Sequence, residues 1–229
     1  MRIIALALVA SLTVVGCSSS TTSDSPSAPE TAPSSSPSAN ALDSAIEATA
    51  ARGTAVLNIS IDSADQQIAG VGSAYLANNR GEIAWSDQSS NESWTDLINS
   101  DGTYTLVDGS WFLAPTGTQT PTSGNTSPLS QLGSVTPNGE NPLTGSLPLS
   151  IDSGMNFSDE ELIELAKTCD MSLAIEVGLD SDGLISSIVT SFECPGNERV
   201  SASALTDFGA PINLSTPEDA CEVDPGPYP

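Results

Sequence analysis

Cys17 is the residue of this 229-residue chain whose type and position predict the most specific chemistry. It follows an apolar run that starts after Arg2 and ends in Val14-Val15-Gly16, which is the pattern of a bacterial lipobox. In such a sequence a peptidase cleaves after the small residue, and the cysteine thiol carries a diacylglyceryl group. The run is too short for a bilayer span, which needs about 20 residues. We predict a lipoprotein signal peptide over residues 1–16 and lipidation of Cys17; the alternative is an ordinary signal peptide that a cysteine follows by coincidence.

No residue pattern in the sequence predicts catalysis as specifically as the lipobox predicts lipidation of Cys17. The chain has no histidine, which excludes Ser-His-Asp and Cys-His nucleophile systems and His-ligated metals. The motifs G-x-S-x-G, S-x-x-K, the P-loop and G-x-G-x-x-G are missing. Asp180-x-Asp182-Gly183 begins like a calcium loop, but position twelve is Ser191 instead of glutamate, so a hairpin turn is expected. We predict no enzyme activity, no catalytic residues, no cofactor and no metal site.

The net charge is −24, from 29 acidic and five basic residues. Nucleic-acid binding is excluded as a function class, because phosphate contacts need clustered Lys and Arg. An anionic membrane surface repels so acidic a body, so its attachment must come from acyl chains on Cys17. The predicted location is the outer face of the bacterial cytoplasmic membrane, lipid-anchored. The membrane is the predicted partner, with a lipid or glycolipid as a further one, and no protein partner follows from the sequence.

Composition divides the chain into four parts. Residues 17–39 are mostly Ser, Thr and Pro, which cannot bury a core, so a disordered tether is expected. The folded domain is predicted to span residues 40–217, with Asn40 as the N-cap of its first helix. Residues 218–229 are predicted to form a solvated tail.

The folded part reads mainly as strands. A first helix carries Leu42 and Ala45 on one face and stops at Gly53, and a second starts at the capping box of Ser158 and Glu161. The segment 115–151, rich in Gly, Pro, Ser and Thr, is predicted to be irregular apart from a short helix after Pro128. Alternating apolar positions predict strands near 55–62, 68–77, 83–85, 94–98, 103–107, 111–114, 169–179, 184–194 and 199–208.

The predicted hairpin around Gly183 has a testable register. If Leu179 faces Leu184 across the turn, Ile175 lies opposite Ile188 on the buried face. A slip of two residues would place the turn at Asp182-Gly183.

The same register brings Cys169 opposite Cys194, where the cross-strand spacing suits a disulfide. Export also favours this bond, because disulfides persist outside the cytoplasm. The two-residue slip would instead place Cys169 opposite Gly196. Cys221 is left over, and its pairing with either of the other two cysteines stays an open alternative.

Two features bear on a ligand cavity. Trp85, Trp94 and Trp111 either line an apolar pocket or are ordinary core and rim aromatics. The second strand contains Gly70 and Gly72, whose small size leaves volume for a ligand but also permits tight packing.

The order of these features, with LDSDGLISSI in the hairpin and LTDFGAPINLSTP at the end, resembles the mycobacterial LppX/LprAFG lipoprotein family over roughly residues 40–217. The resemblance implies an α+β, LolA-like fold: a curved antiparallel sheet, or half-barrel, with a few helices on its concave side. It also implies that a cavity between sheet and helices holds the acyl chains of lipids or glycolipids that move through the cell envelope.

We therefore expect a lipid-anchored envelope lipoprotein that carries lipid or glycolipid by burying acyl chains in an apolar cavity. The alternative is a surface interaction or structural lipoprotein with the same sheet, a filled core and no lipid ligand. The residues expected to line the cavity are Leu57, Ile59, Ile61, Trp85, Leu173, Ile175, Ile188 and Phe192.

Overall fold

The structure is a computed structural model that describes residues 39–115, 128–139, 141–150, 155 and 157–222. The predicted signal peptide, Cys17 and the tether up to residue 38 lie outside the described residues. The chain divides into two units, Met1–Ser35 and Ser36–Pro229, and every described residue belongs to the second.

Eleven strands, two α-helices and one 3₁₀ turn make up the described chain. The first helix begins at Ala39, one residue before the predicted N-cap, and the 3₁₀ turn covers Leu132–Ser134. In chain order the elements are α1 (Ala39–Ala50), β1 (Thr54–Ser63), β2 (Gln67–Tyr75), β3 (Arg80–Asp87), β4 (Glu92–Ile98), β5 (Gly102–Val107), β6 (Ser110–Pro115), β7 (Leu143–Pro148), α2 (Asp159–Leu165), β8 (Ser172–Leu179), β9 (Ile185–Phe192), β10 (Arg199–Thr206) and β11 (Cys221–Glu222).

All eleven strands belong to one sheet with the order β11-β6-β5-β4-β3-β2-β1-β10-β9-β8-β7. Strands β1 to β6 form one meander and β7 to β10 a second, and the two meet where β1 pairs antiparallel with β10. Only the two-residue strand β11 is parallel to its neighbour, β6. The sheet is curved and not closed, so the predicted α+β class with a curved antiparallel sheet is confirmed.

One face of this sheet, here called the inner face, holds the core. Leu57, Ile59 and Ile61 of β1 are buried there, while Asn58 and Asp62 are exposed on the other face. This alternation is what a half-buried strand requires. Side chains from outside the sheet complete the core, among them Leu42, Ala45, Leu129, Leu132, Met155, Phe157 and Leu165.

The register predicted for the β8–β9 hairpin is wrong by two residues. Ile175 pairs with Thr190, whereas the prediction placed it opposite Ile188, and Ile188 pairs with Val177 instead. The inner face keeps the same apolar set, because a shift of two residues leaves every side chain on its own face.

The turn and a β-bulge together explain this shift. Asp180 Oδ1 accepts hydrogen bonds from the backbone N–H groups of Asp182 and Leu184, at 2.9 Å each, so the turn includes Leu184. Leu179 therefore pairs with Ile185, one residue later than predicted. The bulge between Gly178 and Leu179 adds the second residue.

Thr49 joins α1 to the start of β9. Its side chain is fully buried, donates a hydrogen bond to Ala45 O at 2.6 Å and accepts one from the Ile185 N–H at 2.8 Å. The Ile185 N–H lies beside the bulge, where the ladder is interrupted, so the helix supplies the acceptor that this buried donor needs.

Two strands were not predicted. Strand β7 lies in the segment that the sequence predicted to be irregular. Its buried side chains are Leu143 and Leu147, but Gly145 and Pro148 are residue types that strands disfavour, so the sequence did not indicate a strand. Strand β11 lies beyond the domain end predicted at Pro217. The chain reaches it from β10 along one end of the sheet, where three hydrogen bonds hold it: Thr54 Oγ1 to Ala210 O at 2.6 Å, Tyr75 Oη to Ile212 O at 3.5 Å and Asn99 Nδ2 to Thr216 Oγ1 at 3.1 Å.

Replacing Thr49 by valine should lower the free energy of unfolding by about 1–3 kcal/mol, because it keeps the side-chain shape but leaves the Ile185 N–H without its acceptor. Urea denaturation of the purified protein measures this change. Thr206→Val is the matched control: Thr206 is exposed on β10, so its replacement should change stability by less than about 0.5 kcal/mol. Equal effects of the two substitutions would contradict the assigned role of Thr49.

Candidate functional site

The eight residues expected to line a cavity lie together on the inner face and belong to one buried cluster. Their exposed fractions run from 0% for Leu57 and Leu173 to 7% for Ile188. Side chains that line a cavity of ligand size keep part of their surface free of contact with other protein atoms. Such low fractions mean that all eight side chains are buried in the structure, which agrees better with a packed core than with a cavity open at these positions.

The small residues of β2 are occupied by neighbouring groups. A Cβ on Gly70 would lie 2.5 Å from Cε3 and Cζ3 of Trp85, so the indole ring takes the space that Gly70 leaves open. A Cβ on Gly72 would lie 2.0 Å from the carbonyl oxygen of Glu82 on β3. Of the two interpretations of these glycines, tight packing agrees with the geometry.

Gly70→Ala should lower the free energy of unfolding by about 1–3 kcal/mol, because the new methyl group overlaps a buried ring that has little freedom to move. Gly133→Ala is the control, since a Cβ at Gly133 meets nothing within 4 Å. Thermal and urea denaturation of both variants measure the difference. A Gly70→Ala protein as stable as the Gly133→Ala protein would show that the space above Gly70 is open.

The three tryptophans do not form one pocket. Trp85 and Trp94 stack on the inner face, with ring centroids 6.2 Å apart and planes inclined by 19°. Thr105 is on the inner face, so the next residue of β5, Leu106, is on the outer face. Trp111 pairs with Leu106 and therefore also lies on the outer face. The pocket-lining interpretation therefore fails for the set of three.

A buried carboxylate lies beside the tryptophan pair. Asp96, only 2% exposed, accepts a hydrogen bond from Trp94 Nε1 at 3.2 Å and one from the Thr105 hydroxyl at 2.7 Å. These bonds fix the edge of the Trp94 ring. Trp85 Nε1 is also buried, and it has no hydrogen-bond partner in the part of the chain that the structure describes.

Arg199 attaches the segment before α2 to the sheet. Its guanidinium group contacts Glu161 Oε1 at 2.6 Å and donates to Met155 O at 3.1 Å, and it lies 3.8 Å from the ring centre of Phe157. Phe157 in turn packs edge-on against Phe192, with ring centroids 5.4 Å apart. No role was assigned to Arg199 from the sequence. Basic residues are rare in this chain, with five among 229 residues, and this rarity could have marked Arg199 as a partner for one of the many acidic side chains.

The predicted Cys169–Cys194 disulfide is confirmed, with the two Cα atoms 5.8 Å apart. The strand register that led to this prediction was wrong. Both cysteines lie outside β8 and β9, so the two-residue shift of the strands does not separate them. Cys221 is exposed and free, so its pairing with either partner is excluded. The disulfide and Arg199 together hold both ends of α2 on the sheet.

The pKa of Glu161 reflects its place in this contact. Partial burial acts to raise it, but hydrogen bonds from the backbone and hydroxyl of Ser158 and the nearby charge of Arg199 lower it below its ordinary value of 4.5. The ionised form therefore contributes stability at neutral pH. That contribution is lost as the pH falls through the lowered pKa of the folded state.

Glu161→Gln should be less stable than the wild type above pH 5, and the difference should shrink as the pH falls below the ordinary value of 4.5. Urea denaturation of both proteins between about pH 3 and pH 7 measures this dependence. Glu160→Gln, one residue away and exposed, is the control for the loss of one negative charge from the start of α2. A pH-independent difference at Glu161 would contradict the ionic role.

No family model and no curated protein matches this chain. Among the residues that the structure describes, neither helix combines the length and the hydropathy of a membrane span. The same residues contain no group of three or more Cys, Asp and Glu placed to hold a metal ion. The Asp180 carboxylate is used by its own turn, as the hairpin interpretation expected.

Proposed function

We propose that the chain is a lipid-anchored cell-envelope lipoprotein that acts through its surface, with a filled core and no lipid ligand. The observation that carries this proposal is the burial of all eight residues expected to line a cavity, together with the Trp85 ring above Gly70. A site that buries acyl chains needs apolar surface that is free to receive them. The inner face offers none at these positions.

The anchor in this proposal is Cys17, supported by the lipobox and by the charge of the chain. The net charge of −24 opposes binding to an anionic membrane, so the acyl chains have to hold the protein there. The Ser/Thr/Pro-rich residues 17–39 would let the folded part stand as far as roughly 70 Å away, at about 3.3 Å per residue. The proposed location is the outer face of the bacterial cytoplasmic membrane.

We further propose membership of the LolA-like folds and a relation to the LppX/LprAFG family. The support is an open, curved antiparallel sheet whose one apolar face is covered by helices and short segments. The order of the sequence features adds to it.

A lipid or glycolipid carrier is the second candidate function. One observation favours it: the described cover of the inner face is made of short pieces, namely α1 with 12 residues, a 3₁₀ turn of three and α2 with seven. Short segments separate from a sheet at lower cost than long helices, because each one buries less apolar surface. A carrier would have to open by moving this cover.

Replacing Cys17 by serine tests the anchor, because a hydroxyl does not accept the diacylglyceryl group. We expect the wild-type protein to incorporate labelled palmitate and the Cys17→Ser protein to incorporate none. Cys221→Ser, which removes a free cysteine elsewhere, is the control and should behave like the wild type. Palmitate incorporation that survives Cys17→Ser would refute the lipobox.

Mass spectrometry of lipids that co-purify with residues 36–229 distinguishes the two functions, because this compact unit lacks both the anchor lipid and the apolar run before Cys17. The filled core predicts no lipid in stoichiometric amount from any expression host. One acyl lipid per chain, recovered from several hosts, would establish the carrier and overturn the surface role.

A further inference from the structure

Beyond the covered core, the inner face continues onto an exposed apolar area on strands β4 to β6. It consists of Trp94, Val107 and Phe112 and is called the aromatic patch below. Val107 is 40% exposed and Phe112 38% exposed, whereas Trp94 is half-buried against Trp85. Few large apolar side chains of the described residues are so exposed, and two of them lie here. Exposed apolar patches of this kind are typical of interaction sites.

Strand register places the three side chains on one face. Thr105 pairs with both Asp96 and Phe112, and Trp94 and Val107 each lie two residues from one member of this row. The patch therefore crosses three strands, a width of about 10 Å at a strand spacing of about 4.8 Å. The side chains of Asp96 and Thr105, which are hydrogen-bonded to each other, lie on the same face next to these three residues.

Negative charge surrounds the patch. Glu92 is exposed two residues before Trp94 on the same face, and Asp108 is exposed in the turn that follows Val107. Residues 81–115, from which these strands and turns are formed, contain no Lys or Arg. The carboxylates beside the patch would therefore repel an anionic partner. They attract a cationic partner at close range, and the negative net charge of the chain attracts it at longer range.

We propose that the aromatic patch docks a segment of a partner protein in which arginine alternates with apolar residues. A guanidinium group is planar, so it stacks on the rings of Trp94 and Phe112 while its N–H groups hydrogen-bond to carboxylates such as that of Glu92. The hydrocarbon part of arginine and its apolar neighbours then cover Val107. The width of the patch exceeds one side chain, so a polypeptide segment fits it better than a single small cation. This inference rests on the proposed surface role and names the class of partner.

Titration of residues 36–229, the compact unit that contains the patch, with acetyl-Arg-Leu-Arg-Leu-Arg-Leu-amide tests the proposal, with binding followed by calorimetry and tryptophan fluorescence. The matched probe replaces each arginine by citrulline, which keeps the shape and removes the charge. We expect saturable binding of the arginine peptide, with a dissociation constant on the order of 100 μM. The citrulline peptide should bind at least about tenfold more weakly, and about 0.5 M NaCl should weaken the arginine peptide similarly.

Variants locate the binding. Phe112→Ser and the pair Glu92→Gln with Asp108→Asn should each weaken the arginine peptide by about fivefold to tenfold. Val71→Ser is the control for the aromatic change, because Val71 is 55% exposed on the outer face of β2. Asp43→Asn with Asp182→Asn is the control for the charge change, because it removes the same number of negative charges from exposed positions on α1 and in the β8–β9 turn. Both controls should bind like the parent protein, and circular dichroism checks that every variant is folded.

The proposal is overturned if the citrulline peptide binds equally well, if the control variants lose as much affinity as the patch variants, or if no saturable binding occurs up to about 1 mM peptide. Its failure is separate from that of the surface role. Recovery of one lipid per chain would overturn the surface role. A protein that carries no lipid and does not bind the arginine peptide would overturn only this assignment of the partner.

Discussion

A wide open sheet with one apolar face has to be covered by residues that are not in it, and this constraint organises the molecule. The described chain has only two short helices for the task, so the segment 128–135 and the side chains of Met155 and Phe157 take part. Each cover segment needs its own attachment. Thr49 supplies one for α1, and Arg199 with the disulfide supplies those for α2. Within the sheet, the Trp85 ring fills the space above Gly70.

Because the side chains of the inner face are buried, the surface is the part of the described molecule that other molecules can contact. The net charge of the chain is −24, and the acidic residues that the structure describes lie mainly on turns, helices and strand ends. Two of the described basic side chains, Lys167 and Arg199, are paired with glutamates. The surface is therefore acidic with few compensating charges, which favours cationic partners over nucleic acids and anionic lipids. Where apolar side chains interrupt this acidic surface, as at Phe112, a partner gains both attraction and buried area.

Much of the fold could be predicted from the sequence, because hydrophobic alternation of period two marks half-buried strands directly. The failures have local physical causes. Strand β7 was concealed by Gly145 and Pro148, and the β8–β9 register depended on a bulge and on a side-chain hydrogen bond of Asp180 that periodicity does not report. The inner-face residues were found, but whether they enclose a cavity depends on what lies above them. That information is long-range: the ring that fills the space over Gly70 comes from another strand.

The central claim is that protein atoms, and no ligand, occupy the inner face. Titration of residues 36–229 with a dansyl-labelled fatty acid tests it most directly, because this unit lacks the apolar run before Cys17 and because Trp85 lies in the core and would transfer energy to a bound dansyl group. The filled core predicts no saturable transfer and no blue shift of the dansyl emission. Saturable transfer at one probe per chain, lost on competition with unlabelled fatty acid, would contradict the account.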